Sequence, residues 1–571
     1  MKAIQLYSSD SYDFFSTIQK SQLVLPFYAT HSQARESLIH QLKEGIEPVY
    51  VVVKKNQPLF FIALEEKKII NLLAIEASGV TWQQVFDGIE LIYKKTFQSE
   101  AILHFSQALS EAEDNRLIRH GYTRLGHTAR KVLTYNTALV LGGGGARGAY
   151  QIGVWQALKE LEIPIQIITG TSVGALNGAL IVQDDFEEAK DMWEKIETKK
   201  ILSFPMKDNT QNTLPDMLRQ LASFTVAAIQ SKGVSTEPLQ QLLDDTFSQE
   251  KLAQAKQQFY LVTTELPGVV ETVIHFNSCK NNQWKQWLLA SSSFFPAMAA
   301  AQIDGKYYID GGYRNNIPVD TAVANGATEC IIVDVKGPGL TKHVVLPDGQ
   351  SSIVLKTPWS LGTVLLFDGA RSIVNIKLGY LEMMKALEKY CGYWYTFDET
   401  LSEIQAFQQQ FFRYLKREYQ LSLWKNREER KKFYQKLRKY YKDRVYEENI
   451  SLALLELLGK SAAILPDQLY TFSEFIDLLA DQAEKQDKDT FSGMISVQEW
   501  LGKYYDDFFL LSEKKQLQLV ADLLAVDVQE KQKRLQVLLE QLPVITLQVL
   551  MKEFIKEGKE NKWLKNFHMK S

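Results

Sequence analysis

Between Thr137 and Ala179 the chain passes twice from a strand-forming run through a glycine turn into helix-forming sequence. TALVL (137–141) runs into Gly142-Gly-Gly-Gly-Ala-Arg-Gly148, and IPIQII (163–168) runs through Thr169 into Gly170-Thr-Ser-Val-Gly174. A helix after each strand returns the chain to its starting end, so such strands pair in parallel and not as a hairpin. The alternation continues to about Val335 and predicts a parallel α/β sheet. It constrains the middle of the chain more tightly than any other feature.

At 571 residues and 45% hydrophobic content, the chain exceeds what one core usually holds. Texture divides it into three expected domains: 1–135, a small α+β unit; 136–394, the α/β unit; and 395–571, a mostly helical region. In the first, VYVVV, LFFIALEE and IINLLAIE read as an antiparallel meander, followed by a helical stretch from Trp82 to Thr96. In the last, spacings such as Leu454 with Leu458, and Leu517 with Val520 and Leu524, mark amphipathic helices. Lys and Arg total 65 against 68 Asp and Glu, a formal charge of −3; no overall field favours nucleic acid. Cys279, Cys330 and Cys391 are too few and too scattered for a disulfide framework or a zinc site, which suits a reducing compartment. No apolar run approaches the ~20 residues that cross a bilayer. The expectation is a cytoplasmic protein with room for peripheral membrane contact, no cofactor and no metal.

The chemistry is concentrated in the two glycine turns. A Gly-x-Ser-x-Gly turn between strand and helix presents its serine at the sheet's edge, and the helix N-terminus favours a developing alkoxide. Ser172 is therefore the candidate nucleophile, with Gly170 and Gly174 shaping the elbow. The bare backbone of Gly143, Gly144 and Gly145 offers N–H donors for an oxyanion. The same stretch also spells Gly143-x-Gly145-x-x-Gly148, a dinucleotide fingerprint. The next strand, however, ends in the serine elbow and not in the acidic residue that would hold a ribose. For the base, His275 and His343 lie within reach in sequence, and the α/β-hydrolase order of residues would nominate His343. Tyr307-Tyr-Ile-Asp-Gly-Gly312 reads instead as a strand ending in a carboxylate that can meet the elbow, which nominates Asp310. Asp304-Gly305 reads as the turn of the hairpin leading into that strand.

Together the Gly-Gly-Gly-x-Arg-Gly loop, the Gly-x-Ser-x-Gly elbow and the later Asp-Gly-Gly resemble the patatin-like phospholipase family over about residues 137–387. The resemblance implies a three-layer α/β/α domain with a mainly parallel sheet and a lipid acyl hydrolase acting on a phospholipid-type ester. It implies Ser172 as nucleophile, Asp310 as base in a Ser-Asp dyad and Gly143–Gly145 as oxyanion hole, with Gly311 and Gly312 completing the aspartate motif. Arg147 is expected either to support that loop or to make a structural salt bridge at a helix start. Ala290-Ser-Ser-Ser-Phe-Phe-Pro296 matches the family's segment before the aspartate, whereas Ala297-Met-Ala-Ala-Ala301 replaces a large apolar residue and would widen the acyl pocket. The rival readings are a Ser-His-Asp esterase or peptidase and a non-catalytic scaffold.

Outside the motifs, Leu214, Met217, Leu218, Leu221 and Phe224 share one helical face and read as core or as a lid. The N-terminal unit loosely resembles a degenerate acyl-CoA N-acetyltransferase (GNAT) fold without its pyrophosphate-binding turn, so no acetyl transfer is expected. Lys425 to Tyr441 mixes cations with aromatics and could rest on an anionic bilayer, although Asp443, Glu447 and Glu448 dilute it.

Overall fold

The computed structural model describes residues 1–45, 47–198, 201, 236–279, 283–295, 298–421, 427–484 and 508–560. The Leu214 to Phe224 stripe, Pro296, Ala297, Lys425 and His568 lie outside them.

The central sheet is built on strands that are buried on both faces and correspondingly apolar. Its elements in chain order are β1 (Thr137–Leu141), α1 (Ala149–Glu160), β2 (Ile167–Thr171), α2 (Val173–Gln183), β3 (Gln258–Leu266), β4 (Val270–His275), β5 (Ala301–Ile303), β6 (Lys306–Asp310), β7 (Glu329–Val333), β8 (Ser351–Leu355) and α3 (Gly369–Ala386). Strands β3, β2, β1, β7 and β8 are parallel neighbours in that order. The chain moves outward from β1 to β2 and β3, then resumes on the far side of β1 with β7. That reversal leaves a crevice beyond the C-terminal end of β1, where ligands of open parallel sheets bind.

Alternate residues of each strand face two different cores. Leu139, Leu141, Ile168, Ile331 and Val333 pack with α1, α2 and α3. Ala138, Val140, Ile167 and Ile332 face Val319 and Ala322 of the short helix Val319–Ala324, with Val344 and Leu346 closing the same side. The layers are thus α/β/α, as the family resemblance implies. Helices α1 and α3 touch backbone to backbone: a Cβ on Gly153 would sit 1.8 Å from the Ile376 carbonyl oxygen, and one on Gly379 would sit 2.0 Å from that of Tyr150.

Strand β3 carries the antiparallel part of the sheet. Its residues 260–265 pair with β4, while its other edge pairs first with β2, through Val262, and then with β6, from Thr263 onward. Strand β5 reaches β6 through the two-residue turn Asp304-Gly305, with Ile303 opposite Lys306.

N-terminal to this sheet, Val49–Lys54, Gln57–Glu65 and Lys68–Ile75 form the expected meander within a separate, mainly antiparallel sheet. Helices cover both its faces. Lys94 of its helix Trp82–Lys94 reaches Glu329 of β7, 2.8 Å away in a buried ion pair. Beyond Trp394 the described chain is helical apart from one two-residue strand pair, and it has its own core around Phe407, Phe411 and Phe554. Helix Arg427–Tyr441 buries Phe433, Leu437 and Tyr441. On its outer face Arg427 and Lys431 pair with Asp13, and Arg430 pairs with Glu447, so three of the cations singled out for a bilayer meet protein carboxylates instead. Among the described residues no helix is long and apolar enough to cross a membrane.

Because α1 follows the glycine loop directly, its contact with α3 sets where that loop sits. Gly153→Ala is expected to force the two helices apart and to cost about 1–3 kcal/mol of stability, the range for overpacking a tight core. Thermal denaturation checks this; an unchanged midpoint would mean the helices are not in register as described.

Candidate active site

The serine elbow is a backbone problem before it is a catalytic one. Ser172 ends β2 and begins α2 with φ 57° and ψ −125°, a conformation that a side-chain-bearing residue adopts only under constraint. Two close approaches supply the constraint. A Cβ on Gly174 would lie 2.1 Å from the Leu141 carbonyl oxygen, and one on Gly170 would lie 2.3 Å from that of Gly174. Only glycine allows α2 to press this closely on the sheet. The Ser172 N–H donates to the Ser291 hydroxyl at 3.0 Å, and Ser291 donates onward to the Val262 carbonyl at 2.7 Å, tying the elbow to β3.

Asp310 arrives on the same edge of β3. Thr171 stands opposite Val262 and Asp310 opposite Thr263, so the last residue of β2 and the last of β6 occupy adjacent places along one strand. Ser172 and Asp310 line the same pocket, and the Ser172 side chain is close enough to the Asp310 carboxylate to favour its charged form. The Gly312 N–H donates to Asp310 Oδ1 at 2.7 Å, within the turn Gly311–Tyr313, and the Asp310 N–H donates to the Ser293 carbonyl at 2.9 Å. Asp310 is 4% exposed. Burial pushes its carboxyl up to about 6, against the opposing pull of the Ser172 hydroxyl and the Gly312 N–H; desolvation disfavours the charged form more than these two donors favour it.

The N–H groups of the glycine loop divide by their partners. The Gly142 N–H donates to the Val333 carbonyl and the Gly143 N–H to the Asn316 carbonyl, both at 3.1 Å, while the Ala146 N–H donates to the Val364 carbonyl at 2.8 Å. Among the described residues the N–H groups of Gly144 and Gly145 have no such partner, and both glycines line one pocket with Ser172 and Asp310. Of the three expected donors, Gly143 has its N–H engaged in the loop's own scaffold. Among the described residues Arg147 makes no salt bridge at the helix start: its guanidinium donates to the backbone carbonyls of Gly362, at 2.8 Å, and Lys336. It fastens two flanking loops to the glycine turn.

A buried polar network that sequence reading missed completes the clamp. Gln151 Nε2 donates to the Gly142 carbonyl at 2.7 Å, Asn177 Nδ2 donates to the Gly148 carbonyl at 2.9 Å, and Trp193 Nε1 donates to Asn177 Oδ1 at 3.0 Å. Gln151 and Asn177 are wholly buried. A fully satisfied network of this kind rigidifies what it touches. Asn316 was also missed, although it lines the pocket and both binds and is bound by Gly143. The available signal was polar residues, Gln151 and Asn177, inside otherwise apolar helices.

The pocket itself is apolar. Leu176, Leu180, Ile196, Met298 and Phe367 line it, together with Leu239, Leu242, Leu243 and Phe247 from the helix Glu237–Thr246 and its end. That helix, with leucines at i, i+3 and i+4, forms a wall no motif identified. Among the described residues no histidine reaches the site. His275 bonds Ser278 and stacks on Tyr260, His343 is exposed, and among the described residues no histidine lines the pocket.

Comparison with known proteins places the same region in context. Residues 139–323 match the family model described as "Patatin-like phospholipase". Patatin-like phospholipase domain-containing protein 6 of Mus musculus is 29% identical over 319 residues, covering 52% of this chain and 21% of that protein. Neuropathy target esterase sws of Drosophila melanogaster is 27% identical over 278 residues, 46% and 18% of the two chains, and Lysophospholipase NTE1 of Saccharomyces cerevisiae is 26% identical over 253 residues, 44% and 14%. The chain thus spans about a fifth or less of the length of these curated relatives.

The raised pKa of Asp310 makes a stability prediction independent of any substrate. In the unfolded chain its carboxyl titrates at an ordinary 3.8, in the folded one at about 6. Between these values folding takes up a proton, so the site's contribution to stability falls as pH rises through that window and stays low above it. Asp310→Asn is expected to stabilise the protein by about 3 kcal/mol more at pH 8 than at pH 3.5, since each pH unit between the two titrations is worth about 1.4 kcal/mol. Urea denaturation at the two pH values checks this, and an equal effect at both would contradict the buried, ionising carboxylate.

Proposed function

We propose that this protein is a serine acyl hydrolase of lipid esters, of phospholipase or lysophospholipase type, working through a Ser-Asp dyad. The observation that carries the reading is that Ser172 and a buried Asp310, brought to adjacent places along strand β3, share the lining of an apolar pocket bordered by the glycine N–H groups of residues 144 and 145. The names of the relatives support the substrate class.

In this mechanism Ser172 attacks the ester carbonyl carbon while Asp310 takes its proton. The carbonyl oxygen gathers negative charge in the tetrahedral intermediate and is met by the N–H groups of Gly144 and Gly145, fixed in advance by the Gln151, Asn177 and Arg147 contacts. The proton then passes from Asp310 to the departing alcohol oxygen as the C–O bond breaks. In the second half water, deprotonated by Asp310, attacks the acyl-serine; the acyl C–Oγ bond breaks, Asp310 returns the proton to Ser172 Oγ, and the fatty acid leaves. An ordinary aspartate is a weak base for a serine hydroxyl; burial raises Asp310 toward the working pH and so improves it. The acyl chain lies along the leucines of the Glu237–Thr246 helix, where its burial excludes water from the dyad.

The absence of histidine from the described pocket lining argues against a Ser-His-Asp mechanism. With p-nitrophenyl acyl esters and lysophospholipid as substrates, Ser172→Ala and Asp310→Asn are each expected to lower kcat by about a thousandfold or more, while His343→Ala leaves it within about twofold. A fluorophosphonate should label Ser172, as read by mass spectrometry. Activity that survives in Asp310→Asn and collapses in His343→Ala would overturn the dyad. For the wild type, kcat/KM should rise with pH through an apparent value of about 6, set by ionisation of Asp310; a rate falling as pH rises through 6 would assign Asp310 the role of acid instead.

A further inference from the structure

The peptide unit that joins Gly143 to Gly144 carries a carbonyl oxygen and one of the two N–H groups assigned to the oxyanion. In a planar trans peptide these groups point in opposite directions, so one rotation of the unit exchanges them. With the carbonyl turned to the pocket, Gly144 would present no donor there.

The local chain does not choose between the two orientations. Both flanking residues are glycine, and no Cβ obstructs rotation of the unit between them. Packing demands those glycines: a Cβ on Gly143 would sit 2.5 Å from Asn316 Oδ1 and 3.1 Å from Ser172 Cβ, and one on Gly144 would sit 2.5 Å from Val335 Cγ2. The choice therefore falls to distant residues. Asn316 Nδ2 donates to the Gly143 carbonyl at 3.3 Å. The loop after β7 closes on the same oxygen at Gly337, where a Cβ would lie 1.9 Å from it. That loop also fixes Asn316, whose N–H donates to the Leu340 carbonyl at 2.6 Å, while the Leu340 N–H donates to the Gly312 carbonyl at 2.8 Å. Asn316 is 3% exposed and, like Gly144, lines the pocket of Ser172.

We infer that Asn316 is a positioning residue: its side-chain amide holds the Gly143 carbonyl and so keeps the Gly144 N–H turned to the place where the oxyanion forms. It acts through the peptide and not on the substrate. The inference rests on the serine-hydrolase reading above and adds a link to it: the segment that ends β6 in Asp310 also carries, at Asn316, the lock on the oxyanion loop. The donor has to be neutral. Asn316 Oδ1 and Asp310 Oδ1 would stand 2.9 and 3.1 Å from the same Cβ placed on Gly312, so a charged side chain at 316 would pair with the base or repel it.

The test compares oxygen and sulfur esters. Asn316→Leu keeps the backbone carbonyl that accepts the Gly143 N–H and removes only the side-chain donor. With a p-nitrophenyl acyl ester its kcat is expected to fall by about tenfold to a hundredfold while KM stays within about twofold, less than outright loss of an oxyanion donor because the freed peptide still visits the productive orientation. In the matching thionoester the carbonyl oxygen is replaced by sulfur, a weaker acceptor, and the donors contribute less. The ester-to-thionoester rate ratio should therefore drop in the variant by about the factor that kcat loses. General damage to the fold slows both substrates together and leaves that ratio alone. Gly337→Ala, whose Cβ meets the same carbonyl from the other side, should lower the ratio as well, and it decides should Asn316→Leu not fold. An unchanged ratio, an unchanged kcat or a loss carried by KM would overturn the inference alone, provided that the wild type hydrolyses the ester and takes the fluorophosphonate at Ser172. A wild type inert toward the ester would overturn both.

Discussion

The register along one edge of strand Gln258–Leu266 is what the rest of the site depends on. That edge is shared: β2 occupies it up to Val262 and β6 takes it over at Thr263. Two segments far apart in the chain therefore end side by side, one in Ser172 and the other in Asp310. A one-residue slip of β6 would turn the aspartate to the other face of the sheet. The Ser291 hydroxyl, bridging the Ser172 N–H and the Val262 carbonyl, fastens the elbow to the same strand.

Around this register the protein accepts local costs for chemistry. Ser172 holds an unfavourable backbone conformation, and Asp310 holds a carboxylate away from water. Both persist because the surroundings over-determine them: glycines that allow contact closer than any Cβ, and the buried Gln151–Asn177–Trp193 network. The same burial that destabilises the ionised aspartate makes it a stronger base, so the stability cost and the proposed reactivity have one physical origin.

The flanking regions are joined to this centre by polar contacts as well as by packing. Lys94 and Glu329 link the N-terminal helix to the central sheet across a buried interface. The Tyr7–Tyr446 stack and the Arg444–Asp10 pair link the two flanks to one another. Packing at such a three-way junction is constrained from three directions at once, and a cavity of about 580 Å³ is left there.

Local sequence determined a good deal. The strand–glycine–helix alternation led to the parallel sheet, the meander at 48–76 was legible from its alternating runs, and Ser172 and Asp310 were legible as a strand-ending serine and a strand-ending acid. These are short-range signals, readable because turn geometry and strand periodicity depend on neighbours in the chain. Tertiary structure decided the rest. That Gly143 donates to Asn316 while Gly144 and Gly145 do not, that Arg147 holds carbonyls and no carboxylate, and that the leucines of helix Glu237–Thr246 wall the pocket all depend on which distant backbone comes to rest opposite each group. The raised carboxyl of Asp310 is of the same kind: an aspartate's identity is in the sequence, but the water it loses is taken away by residues far from it in the chain.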